Sequence, residues 1–219
     1  MSVTMPDALP GELAGITVHI DRWRPALPPD AWPGGFPQAG VVWRQDVFAV
    51  ADAWRQGDAT PRQLLSAVLM WGYGPIGYGP WRTARSLDGD PDGTRLAHAL
   101  DPLRAPVLDE EVLRTAYRRL RDPRESRLPR LGPAFFTKLL YFAGYRRGTG
   151  GLQPLILDSV VARRLPPAAG VSRPSAWLSE EWLAYLRWAG EQAQRQGIEP
   201  EEVELALFHD RWPPHLGSP

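Results

Sequence analysis

Apolar residues in this chain return at helical spacing, and no segment shows the strict alternation of a half-buried strand. Val112, Leu113, Ala116, Tyr117 and Leu120 mark one face of a helix predicted over Asp109–Arg121. The same period predicts helices over Gln45–Gln56, Thr60–Trp71, Ala134–Gly144, Asp158–Leu165, Ser179–Gln196 and Pro200–His209. Thr60 is a natural N-cap with Pro61 suited to the first helical position, and Ser179 is read as a second cap. Between these helices the chain is punctuated by glycine and proline. Pro25, Pro28, Pro29, Pro33, Gly34, Gly35 and Pro37 make residues 1–40 an irregular arm, anchored by Trp23, Trp32 and Phe36. Trp71–Trp81 carries four glycines, two prolines and four aromatics, which predicts a non-helical aromatic loop. There is no internal repeat. The expectation is an all-α chain, a single domain over 1–219 folded as two helical lobes around a cleft.

Composition removes several chemistries. With no cysteine there is no disulfide, thiolate zinc site, cysteine nucleophile or iron–sulfur cluster. The four histidines, His19, His98, His209 and His215, are never paired at i, i+3 or i+4, so no metal site is expected, and no organic cofactor is called for. No basic-then-apolar leader opens the chain, and no apolar run reaches the roughly 18 residues of a membrane span, which predicts a cytoplasmic protein. Formal net charge is +0. Its distribution is uneven: Arg114 to Arg164 holds eleven arginines and Lys138 against Asp122, Glu125 and Asp158, a local net of +9. Acid concentrates in Ser179–Asp210, with Glu180, Glu181, Glu191, Glu199, Glu201, Glu202 and Glu204. Such a basic middle is the footprint of a phosphate-facing surface; ordinary solvated helix faces are the alternative.

Leu128–Gly144 reads L-P-R-L-G-P-A-F-F-T-K-L-L-Y-F-A-G. A short helix ending near Arg127, a tight turn at Gly132 and an apolar second helix would make a helix-hairpin-helix element. Gly132 would let backbone N–H groups approach a phosphate, with the helix N-terminus behind it. Arg127, Arg130, Arg146 and Arg147 flank this element and are the candidate phosphate contacts. Lys138 is the only lysine, beside 24 arginines. Arginine stays protonated, whereas a lysine among apolar neighbours can lose its proton and attack carbon as a free amine. The competing reading is a lysine on a polar helix face. Twenty residues on, Asp158 follows the apolar run P-L-I-L and opens a helix, where its carboxylate would cap backbone N–H groups and the helix dipole would favour its ionised form. Read alone it is a capping aspartate and no more.

Taken together, the hairpin, Lys138, a glycine-rich loop (Gly148, Gly150, Gly151) and Asp158 resemble the helix-hairpin-helix DNA glycosylases that carry a Gly/Pro-rich loop and a conserved aspartate. The resemblance is closer to bacterial and archaeal 8-oxoguanine glycosylases of the OGG fold. It covers residues 125–165 well, although the hairpin reads L-P-R-L-G-P where L-P-G-V-G is common. It implies Lys138 as the nucleophile that forms a Schiff base, Asp158 as its carboxylate partner, and β-elimination at the resulting abasic site. The partner implied is double-stranded DNA with a damaged or modified base, bound by a monomer. Tyr73, Tyr78 and Trp81 are candidates for the wedge or the base slot, and Phe208 for a slot wall; core packing is the alternative for each. The rival functions are a glycosylase for another modified base (in phage DNA, or an opened or alkylated purine), a non-catalytic DNA-binding module, and a helical interaction domain using the acidic C-terminal helices.

Overall fold

The computed structural model describes residues 12, 14–36 and 40–213. Pro37, His215 and the first eleven residues of the arm lie outside the described residues. The described chain is mostly helical: α1 (Ile20–Trp23), α2 (Arg44–Gln56), α3 (Pro61–Tyr73), α4 (Gly79–Asp88), α5 (Thr94–Leu100), α6 (Glu110–Arg121), α7 (Pro133–Gly144), α8 (Ser159–Arg164), α9 (Ser179–Gln196) and α10 (Pro200–Phe208). Against the expectation of no strand, two residues of the arm, β1 (Ile16–Thr17), pair antiparallel with β2 (Val41–Val42). Four hydrogen-bonding residues carry too short an alternation to be seen in sequence.

Local chemistry sets most helix starts. The Thr60 hydroxyl accepts from Gln63 N–H (3.2 Å) while Thr60 N–H donates to Gln63 Oε1 (2.8 Å), a reciprocal capping box. Asp109 caps α6 through Val112 N–H (2.8 Å). Ser179, expected to cap α9, lies inside its first turn; the preceding residue is Leu178, whose N–H donates to Glu181 (3.0 Å). The carboxylate at the third helical position thus supplies the cap that the serine was expected to make.

Trp71–Trp81 also departs from expectation. α3 continues through Gly72 to Tyr73 and α4 starts at Gly79, so only residues 74–78 are irregular. Gly74, at φ 54°, ends α3, and Pro80 sits in the first turn of α4, where its missing N–H has no intrahelical partner to lose. The hairpin's first helix, expected to end near Arg127, is α6, which ends at Arg121; turns carry the chain from there to Gly132.

A single hydrophobic cluster runs from Val18 to Leu207, and its largest fully buried side chains include Trp23, Trp54, Trp177 and Trp182. α7 packs against α2, α3 and α6, and α9 and α10 pack on each other. Among the described residues no helix is long and apolar enough to cross a membrane.

Candidate active site

α7 is apolar on every side, and nine of its twelve residues are buried, from Phe136 to Gly144. Lys138 is therefore drawn into the core with the helix, its side chain only 9% exposed. The glycine-rich loop then returns the chain along α7 as an extended, buried stretch, Leu155–Leu157. Gln153 ties that loop off, accepting from Arg146 N–H (3.0 Å) and donating to Gly150 O (2.8 Å). On the α7 side, the Thr137 hydroxyl accepts from Leu157 N–H (3.2 Å) and lies within hydrogen-bonding distance of Pro133 O (2.8 Å) and Leu157 O (3.1 Å). On the α9 side, Trp182 Nε1–H donates to Leu155 O (3.0 Å). One residue beyond the Thr137–Leu157 contact, on α7 and on the extended stretch, are Lys138 and Asp158.

Lys138 Nζ donates to Asp158 Oδ2 at 2.7 Å. Asp158 Oδ1 caps α8, accepting from Val160 N–H (3.0 Å) and Val161 N–H (3.1 Å). Burial pushes the Asp158 carboxyl up, but the Lys138 charge and hydrogen bond and the two backbone donors outweigh it, holding the carboxyl below its ordinary range. The result is an ionised carboxylate in fixed orientation against the only lysine.

The pair lines a cavity of about 440 Å³, within the range of small-molecule sites. Trp71, Phe135 and Phe208 supply aromatic wall, with Phe208 and His209 arriving from the end of α10. Gly72 makes room for the lysine: a Cβ there would stand 3.2 Å from Lys138 Cδ and 3.3 Å from the Phe135 ring. Arg44 and Glu204 also line the cavity, as a buried ion pair at 2.9 Å. Burial works against the Arg44 charge, and the charges and hydrogen bonds of Glu204 and Tyr141 more than restore it.

A second hollow, of about 620 Å³, abuts the first and shares Ala134, Phe135 and Ser159 with it. Arg82, Arg121, Arg127 and Arg130 line it together with Gly132, and among the described residues no carboxylate does. The left-handed residue of the turn is Arg130 (φ 62°), whereas Gly132 at φ −87° has a backbone any residue adopts. No side chain caps α7, and the space where a Gly132 Cβ would project is open. Two half-exposed aromatics stand beside this hollow, each against a cation: Trp81 with Arg130 over its ring at 5.1 Å, and Tyr78 with Arg82 at 4.7 Å.

Thus Lys138, Asp158 and Phe208 meet at one cavity, and Arg127, Arg130 and Gly132 at the adjoining one, with Tyr78 and Trp81 alongside. Tyr73 is buried, its ring 4.2 Å from that of Phe135. Arg146 and Arg147 lie past the other end of α7, about 18 Å along the helix from Gly132. Arg146 donates to Gly144 O and Leu103 O (2.9 Å each), and Arg147 pairs with Glu201. Among the eleven arginines of the basic middle, Arg114, Arg118, Arg119, Arg147 and Arg164 are ion-paired. Thr137, Gln153, Arg44, Glu204 and Trp71 were not singled out from sequence. Their partners lie as far as 160 residues away, and no local pattern marks their meeting at this site. Among the described residues no group of three or more His, Asp or Glu side chains is placed to hold a metal ion.

The profile of a family described as "Putative 8-oxoguanine DNA glycosylase OGG-like protein" matches residues 12–208. No curated protein and no solved structure matches the chain. The match takes in α1 to α10, both members of the Lys138–Asp158 pair and the full lining of the cavity up to Phe208, and the chain belongs to this OGG-like family.

Proposed function

We propose that the protein is a DNA glycosylase with lyase activity that removes oxidised guanine, with Lys138 as nucleophile and Asp158 as its carboxylate partner. The observation that carries the reading is the 2.7 Å contact between a buried, solitary lysine and an ionised carboxylate at the edge of a ligand-sized cavity. Family membership supplies DNA as the substrate. The carboxylate-free hollow with four arginines and the uncapped α7 N-terminus suit the phosphate backbone, and Tyr78 and Trp81 suit the gap left when a base is flipped out, a step costing a few kcal/mol.

In the chemical step, positive charge grows on the sugar as the glycosidic bond breaks, and the Asp158 carboxylate stabilises it. The departing base takes the bonding electron pair and a proton. Lys138, after giving up a proton, forms the new bond to C1′. Loss of a second proton from nitrogen, taken up by O4′ as the C1′–O4′ bond breaks and the sugar ring opens, yields the Schiff base. That iminium acidifies C2′; removal of a C2′ proton expels the 3′ phosphate and nicks the strand.

Borohydride trapping on a duplex with one 8-oxoguanine tests this, with Lys138→Gln in parallel. A covalent complex with the parent and none with the variant is the expected result. Trapping only on an abasic duplex would keep the lyase and reject 8-oxoguanine. No trapping on either would reject the lysine mechanism in favour of a binding module.

A further inference from the structure

Aromatic walls tolerate any flat base, so the choice among bases falls to polar groups on the cavity. Arg44, the first residue of α2, is one of them, and it is buried to 3% exposure. Its Nη1 donates to Glu204 Oε2 (2.9 Å) and to Tyr141 Oη (3.1 Å), and its Nη2 to Glu204 Oε1 (3.4 Å). The guanidinium lies 5.2 Å from the centre of the Trp71 ring and 5.2 Å from that of Tyr141, so it is held in orientation from two sides. Tyr141 in turn donates to Glu201 (2.6 Å), which Arg147 neutralises.

A guanidinium has five N–H donors. Glu204 takes two and Tyr141 a third; the other two, on Nε and Nη2, meet no acceptor among the described residues. An ion pair serving the core alone would be expected to spend its donors, because a buried unmatched donor carries a desolvation penalty. Here the surplus belongs to a charged group on the wall of the same cavity as Lys138.

Resting on the glycosylase reading, we propose that Arg44, oriented by Glu204, is the residue that determines base specificity. Its spare donors read carbonyl oxygens on the edge of a flipped keto purine and reject an amino group at that edge. Arginine is a donor-only group, and its pairing with O6 and N7 of guanine is the commonest specific contact to a base; in 8-oxoguanine N7 carries a proton, and the acceptors on that edge are the carbonyls O6 and O8. An amino group in that position sets donor against donor beside a fixed cation. A site built to donate to a carbonyl discriminates far more strongly than an apolar slot that senses shape alone.

The test compares single-turnover excision on duplexes with 8-oxoguanine or 8-oxoadenine, and strand nicking on an abasic duplex that has no base to read. The parent is expected to excise the keto base at least about tenfold faster than the amino base. Arg44→Lys, which keeps the charge with fewer donors, is expected to narrow that ratio and to lose at least about tenfold more on 8-oxoguanine than on the abasic duplex. Arg44→Met with Glu204→Gln removes the pair as a unit, so no charge is left stranded, and the same pattern is expected. Equal losses on base-bearing and abasic duplexes would assign Arg44 a structural role and overturn the proposal. So would a parent with no keto preference, a result that depends on no variant folding. A parent that is trapped on neither duplex overturns the Lys138 reading as well, whereas trapping without a keto preference overturns this one alone.

Discussion

The Asp158 carboxyl is kept ionised by the Lys138 charge and the two N–H donors of α8, and a pH response follows from that. The Asp158 carboxyl is held below its ordinary range in the folded protein, so its contribution to stability is complete above the unfolded carboxylate range. It is lost as pH falls through the depressed folded value. In urea melts the parent should therefore exceed Asp158→Asn by more at pH 6 than at pH 3; an equal difference at both would show that the carboxyl does not titrate this way. Thr137 is a positioning residue for the pair, since its hydroxyl joins α7 to the stretch that ends at Asp158. Thr137→Val keeps the shape and leaves Leu157 N–H unmatched, which should cost about 1–3 kcal/mol and lower the trapping rate. A trapping rate equal to the parent's would deny it the positioning role. Gly72→Ala separates the two effects further. Alanine favours an exposed helix interior by about 1 kcal/mol, yet here its Cβ presses on Lys138 Cδ at 3.2 Å. The expected outcome is slower trapping with little loss in melting temperature, and unchanged trapping would show that the lysine chain can shift freely.

Most of the longer helices report themselves in this sequence through a cap or a period that acts within a few residues. Thr60 and Asp158 cap the helices they were expected to cap, and Asp109 caps α6. The misreadings lie where a local signal was outweighed. Four glycines between Trp71 and Trp81 argue for a loop, but α3 extends through Gly72, where a side chain would crowd Lys138 and Phe135 of α7. The hairpin glycine was expected to make the turn, and Arg130 adopts the left-handed backbone in its place. Gly132 instead leaves the start of α7 unobstructed. α1 and α5, with four and seven residues, are too short for a period to emerge.

Across the molecule, charge is arranged by pairing across the fold more than by stretch of sequence. The +9 of residues 114–164 is partly cancelled by the acidic C-terminal helices, with Arg114 and Arg118 on Glu180 and Arg147 on Glu201. What remains beside the hairpin is Arg82, Arg121, Arg127 and Arg130 around one hollow. The salt dependence of duplex binding should follow that group: Arg127→Gln with Arg130→Gln is expected to reduce the slope of log K against log salt by about 2. Arg146→Gln, which removes bonds to Gly144 O and Leu103 O, should lower the melting temperature and leave the slope nearly unchanged. A slope unaffected by the double change would place the phosphate path elsewhere.

Helical class, the absence of cysteine chemistry and the candidacy of Lys138 and Asp158 were all readable from residue order, because periodicity, capping and the uniqueness of a residue type are properties of the chain itself. The depth of Lys138, its 2.7 Å contact with Asp158 and the meeting of Arg44 with Glu204 across 160 residues arose from packing. Long-range contacts form where apolar faces are buried together, and which polar groups are carried inside with them depends on the whole set of neighbours.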